Sequence, residues 1–151
     1  TPAVIPQLAA TPMTEYIQRA VLAMPMAQTL QLSFDAIGPG TTTLSAPVLD
    51  GWCFAPGQLQ ATALFALADF AAVGAAGTLL PAGWANSTVD ATVKLLAPAR
   101  GCRIVARGRV VQPGKTLSVC AADVFSVDAA GQELLCATWL GTARNFLLTT
   151  H

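Results

Sequence analysis

The stretch GQLQATALFALADFAAVGAAGTLL, residues 57–80, sets one carboxylate, Asp69, inside a run of Ala, Leu, Phe, Val, Gly and Thr. About twenty apolar residues would suffice to cross a membrane, but an Asp at the centre costs roughly 2.5 to 3.5 kcal/mol on insertion scales, and many positions are weakly apolar Ala or Gly. A helix that is apolar all round is otherwise a buried one, wrapped by other elements. The stretch therefore predicts a central helix, and the rest of the chain must supply its cover.

That cover is legible as strands. Thr11-Pro12 offers an N-cap with proline at the first helical position, and Ile17, Val21 and Met24 recur at helical spacing until Pro25 stops the run, a short amphipathic helix. From Leu30 the period becomes two: Leu30, Leu32, Phe34 and Ala36 alternate with Gln31, Ser33 and Asp35, residues 38–40 make a Gly-Pro-Gly turn, and a second strand covers residues 41–49. After the central stretch, Pro81 and Gly83 break the chain. Val89, Ala91, Val93 and Leu95 then alternate with Thr88, Asp90, Thr92 and Lys94. Strands at 102–111, 116–127 and 133–141 follow, separated by turns at 112–115 and 128–131. The expected architecture is α+β: one domain over residues 1–151, a curved antiparallel sheet of five to six strands rolled around the long apolar helix, with a short N-terminal helix.

Composition narrows the function. Hydrophobic residues make up 54% of the 151, charged residues 11%, and the formal net charge is zero, so there is no basic footprint for nucleic acid. So few charges leave apolar surface to hide, which predicts a homo-oligomer. The four cysteines, Cys53, Cys102, Cys120 and Cys136, are widely spaced without a CxxC pair and read as reduced core residues of a cytoplasmic protein. Neither a basic region nor a continuous apolar run opens the chain, so no signal peptide is expected. The one histidine is the terminal His151. That argues against Ser-His-Asp or Cys-His catalysis and against histidine-built metal sites, and the cysteines lack ligand spacing, so no metal is expected. Chemistry must rest on carboxylates, amides, hydroxyls or backbone groups.

Within a buried helix, the ionised Asp69 is expensive unless it is paired, hydrogen-bonded or facing a cleft. The pattern alone leaves two roles open. Asp69 either meets a loop or an Arg at a subunit interface, or it is catalytic.

The stretch resembles the signature of hot dog fold acyl-CoA thioesterases, in particular the phenylacetate-pathway and 4-hydroxybenzoyl-CoA (Arthrobacter-like) branch. That family has a His-Gly-Gly turn opening the central helix and an Asp or Glu nine residues after the His. Here Gln60-Ala61-Thr62 stands in the turn and Asp69 at the carboxylate position. The resemblance extends over TEYIQRAVLAMPMAQTLQLSFDAIGPG (14–40), STVDATVKLLAPARG (87–101) and GRVVQPGKTLSVCAADVFSVDAAGQELLCATWLGT (108–142). It implies hydrolysis of an aryl- or medium-chain acyl-CoA, with Asp69 as nucleophile or general base and the Ala61 backbone N–H as oxyanion donor. Gln60 would orient a carbonyl or water, and Thr62 would be a second donor or a first-turn hydroxyl. Dehydratases of the same fold use a histidine base, which has no counterpart here.

The resemblance also carries the coenzyme A contacts to Lys115, Thr116 and Arg144, with Lys94 or Arg100 as further cations. Phe54, Phe65, Phe70 and Trp84 are candidates for an acyl pocket or for core packing. No cofactor is implied beyond the coenzyme A of the substrate, and the implied assembly is a dimer or a tetramer of dimers with sites at subunit interfaces. A different class of function stays open from the degenerate turn: a catalytically weak hot dog protein that binds acyl-CoA or a related ligand without turnover.

Overall fold

The computed structural model describes residues 11–149. His151 lies outside them. Thr11 caps helix α1 (Pro12–Leu22) in a reciprocal box: its side chain accepts from the Thr14 N–H at 3.1 Å, and the Thr14 hydroxyl accepts from the Thr11 N–H at 2.8 Å. Pro25 ends that helix by beginning another, the single-turn α2 (Pro25–Thr29). This corrects the expected strand start. Leu30 bonds back to the Met26 carbonyl, Gln31 adopts a positive φ of 56°, and strand β1 spans Ser33–Gly38 instead.

The remaining strands are β2 (Thr41–Pro47), the short β3 (Cys53–Ala55) and β4 (Gln58–Leu59), then β5 (Trp84–Leu95), β6 (Ala99–Arg100), β7 (Arg103–Gln112), β8 (Leu117–Val127) and β9 (Glu133–Leu147). Six of them form one antiparallel sheet in the order β1-β2-β7-β8-β9-β5. The expected long helix is α3 (Ala61–Gly77), narrower at both ends than the apolar stretch. Two features escaped the sequence: a small sheet of order β3-β4-β6 leading into α3, and the six extra residues of β9, which pair with the first half of β5, Trp84 to Asp90.

The sheet lies against α3 because both surfaces are built from small residues. Ala68, Ala71, Ala72 and Ala75 are fully buried, and a Cβ at Gly108 of β7 would collide with the Ala71 carbonyl. Thr42 of β2 donates to that same carbonyl at 2.6 Å. Larger side chains close the core between helix and sheet, among them Leu44, Leu67, Ile104, Val124 and Trp139. This is the α+β architecture expected, a long antiparallel sheet packed around one helix. All four cysteines are free, but only Cys120 and Cys136 are buried; Cys53 is half-buried and Cys102, in the turn before β7, is exposed.

Candidate active site

Asp69 sits midway along α3, half-buried, and the Thr88 hydroxyl of β5 donates to its carboxylate at 2.7 Å. Loss of water around it pushes its pKa above the ordinary carboxylate value, and the Thr88 hydrogen bond works in the opposite direction. Among the described residues it has no ion-pair partner. Its charge also reaches Cys120, whose thiol is held at about 11, first by burial and then by that carboxylate.

Thr88 faces Asp69 because β5 carries a bulge. Thr88 pairs with Ala143 and Asp90 with Thr142, so Val89 is an extra residue in the ladder. Regular alternation would set Thr88 on the same side as Asp90 and Lys94, the grouping expected from sequence. The bulge instead turns Thr88 inward, beside the buried face of β9. A bulge depends on the partner strand, and the local residue pattern carried no signal for it.

Beyond Asp69 opens a pocket of about 350 Å³. Phe70, Val73 and Gly74 of α3 form its floor, Trp84 to Thr88 of β5 one wall, and α1 its roof. Asn86 projects into it with its amide nitrogen bonded to the Val73 carbonyl at 3.1 Å. The roof was not foreseen from sequence: Tyr16 and Ala20 stand one turn apart on α1, next to the buried Ile17 and Val21, and Met24 follows at the N-cap of α2. Such a pair reads equally as core.

The other expected residues fall in separate places. Gln60 is the N-cap of α3 with an extended backbone, and its side chain makes no capping bond. Ala61 and Thr62 are exposed in the first turn, and their N–H groups have no intramolecular acceptor among the described residues. Such a helix terminus suits developing negative charge. A second hollow, of about 340 Å³, lies beside it, lined by Phe54, Leu59, Ala61, Leu64, Leu95 and Leu96. Ala61 and Asp69 are eight residues apart on one helix, however, a rise of about 12 Å. Phe65 packs edge-on to the buried Trp139, ring centres 6.2 Å apart.

Lys115, Thr116 and Arg144 come together at one end of the sheet. The Asn145 N–H bonds the Thr116 carbonyl at 2.7 Å, its side-chain amide bonds the Gly114 carbonyl at 2.9 Å, and Arg144 lies opposite Leu117. Lys94 stands opposite Thr138, six residues from Arg144 along β9 and so about 20 Å away. Arg144 and Lys94 alternate with the buried residues of their strands and project from the sheet face opposite α3. Arg100 bonds the Gln58 side chain at 3.2 Å, near the start of α3. No cluster of three or more metal-ligating side chains occurs among the described residues, and no helix there is long and apolar enough to cross a membrane.

A curved antiparallel sheet around a small-residue helix, with a carboxylate at the head of an apolar pocket, defines a hot dog protein of the thioester-cleaving kind. The comparisons with solved structures agree. A thioesterase family protein from Silicibacter pomeroyi is 30% identical, with a TM-score of 0.84 over 89% of this chain and 98% of that one. The chain belongs to the thioesterase family, and its chemistry is thioester hydrolysis. At 20% identity a thioesterase from Haemophilus influenzae shares the fold, with a TM-score of 0.79 over 96% of this chain and 98% of that one. So does the PaaI protein of the Escherichia coli phenylacetic acid degradation operon, at 18% identity and a TM-score of 0.74 over 90% of this chain and 97% of that one. No family model matches the sequence, and comparison with curated proteins gives no match.

Proposed function

We propose that the protein is a cytoplasmic acyl-CoA thioesterase, a single hot dog domain that works as a homodimer or as a tetramer of dimers, with Asp69 as nucleophile or general base. The observation that carries this reading is a desolvated, cation-free carboxylate at the head of an apolar pocket. A structural carboxylate at a comparable depth is normally matched by a cation. An unmatched one next to a cavity is suited to attack a thioester or to take a proton from water.

The oxyanion donor is the Ala61 N–H of a second protomer. A reacting carbonyl must lie within about 3 Å of both nucleophile and donor, and the 12 Å rise along α3 favours taking the two from different chains. β5 offers the join. It is an edge strand with half its backbone groups unpaired, and antiparallel pairing with its copy would bring the Thr88 end of one protomer to the Leu95 end of the other. The pocket behind Asp69 then meets the hollow beside the partner's Ala61. The pantetheine arm would lie in that hollow, over Phe54, and Gln60 and Thr62 would flank the oxygen. Lys115, Thr116 and Arg144, grouped at one sheet end, would hold the phosphates, with Lys94 a more distant cation and Phe65 packed behind the carboxylate.

Two variants test the composite site. Ala61→Pro removes the donor N–H where proline is favoured, at the first helical position after an extended N-cap, so the helix should keep its stability. Ala61→Pro and Asp69→Asn should each lack thiol release from acyl-CoA. Unfolded and refolded together, they should regain about a quarter of wild-type activity, because half the dimers are mixed and each holds one intact site. No recovery on mixing would place both groups in one chain and overturn the dimeric site.

A further inference from the structure

We propose that α1 and Trp84 measure the acyl group, selecting an extended apolar chain of octanoyl to decanoyl length over a single aromatic ring. This rests on the thioesterase reading above and narrows its substrate. The lining of the pocket is drawn out along β5 and α1. From Thr88, which holds Asp69, to Trp84 is four strand steps, about 13 Å. The roof runs along α1 from Tyr16 to Leu22, six residues and about 9 Å of helix, and continues to Met24, the extended N-cap of α2. An extended decanoyl chain matches the length of the β5 wall, whereas a benzoyl or phenylacetyl group fills less than half of it.

The polar groups are unevenly placed. Asp69 is the one charged residue on the walls, and with Thr88 it marks the reacting end. Further along, the Asn86 amide nitrogen is taken by the Val73 carbonyl, and Phe70, Val73, Ala85 and Trp84 present carbon. A terminal carboxylate or ammonium on the acyl group would meet no opposite charge there, only the neutral polar groups of Tyr16, Asn86 and Ser87. Gly77 of α3 lets the roof sit close: a Cβ there would stand 2.7 Å from the Ile17 Cδ1, so glycine leaves room for Ile17 to seat against the helix. Ala20, midway along the roof, is the small residue that leaves the groove open beneath it.

Turnover of a saturated acyl-CoA series tests this, with binding of the matching S-alkyl-CoA thioethers, which cannot be hydrolysed. In the wild type, kcat/KM should rise about twofold to fourfold for each methylene added from butanoyl to decanoyl, the yield of burying one methylene, and should stop rising beyond decanoyl. Ala20→Phe should lower the decanoyl-to-butanoyl ratio at least tenfold. Trp84→Ala should move the optimum to longer chains, and it carries the test alone if Ala20→Phe does not fold. A flat chain-length series, an unchanged ratio in folded variants, or a tenfold preference for phenylacetyl-CoA over decanoyl-CoA would overturn the proposal. If the wild type cleaves no thioester, catalysis fails but the groove is still tested. Decyl thioether binding tighter than ethyl, and weakened by Ala20→Phe, supports it, and equal binding of the two overturns it.

Discussion

Three acidic side chains on the outer face of the large sheet and the one on α3 are held in opposite ways. On the face turned from α3, Glu133 meets Arg107 in a two-pronged pair at 2.6 and 2.9 Å, Asp123 meets Arg109 at 3.3 Å, and Asp35 meets Arg103 at 3.5 Å. Each of those carboxylates has a cation within reach, and the Arg107 guanidinium holds Glu133 below its ordinary pKa. On the helix side Asp69 has one neutral hydroxyl and a pKa moved up. The outer acids are satisfied in water and contribute little, since exposed pairs are worth about 0 to 1 kcal/mol. The inner one is held at a cost to stability, and such a cost persists where the group has a use.

Taking away the inner carboxylate should give the largest effect. Asp69→Asn should lose roughly two orders of magnitude or more in kcat, the scale of a missing general base. Its melting temperature near neutral pH should be equal or higher. The folded state holds the Asp69 proton to a higher pH than the unfolded chain does, so stability falls as pH rises between the ordinary and the raised pKa. The variant lacks that slope, and its advantage should vanish below the ordinary carboxylate range. Full activity, or a stability loss large enough to explain the missing activity, would return Asp69 to a structural role.

A smaller change tests the hydroxyl. Thr88→Val removes the bond that lowers the Asp69 pKa, so the acid limb of the pH–rate profile should move to higher pH, with kcat down about tenfold, as for a lost hydrogen bond to a charged group. An acid limb that stays in place would separate Thr88 from the ionisation of Asp69. The smallest change is expected outside. Asp123→Asn should alter stability by about 1 kcal/mol or less in a denaturant titration, despite losing both Arg109 and the Thr138 hydroxyl as partners of a charged group. A loss of several kcal/mol there would erase the contrast between the outer acids and Asp69.

How much of this could be read beforehand depended on whether the information was local. The central helix announced itself because no other element explains residues 57–80, and the strands alternate because one face is buried. Asp69 stood out as the single charge in that helix. Thr88 did not, since its direction is set by how β5 registers against β9, some fifty residues later. The α2 turn was also hidden: Ala27 and Leu30 fit a helical spacing of three, while Leu30 and Leu32 open an apolar period of two. The roof role of α1 depends on a packing partner, and Tyr16 and Ala20 one turn apart show helical period without showing what they cover. The cations proposed to hold the phosphates were named by resemblance, and their positions relative to Asp69 are a matter of sheet topology.

The sheet order has a consequence for synthesis on the ribosome. Within one protomer β5 has a single neighbour, β9, the last of the described strands, while α3 lies near the middle of the chain. A nascent chain therefore exposes a helix without a polar face well before β7, β8 and β9 exist to cover it. The strand that aims Thr88 at Asp69 is seated last. During that interval the apolar segment lies open to water, and loss of β9 would strip the candidate site of its strand while leaving both Asp69 and Thr88 in the chain.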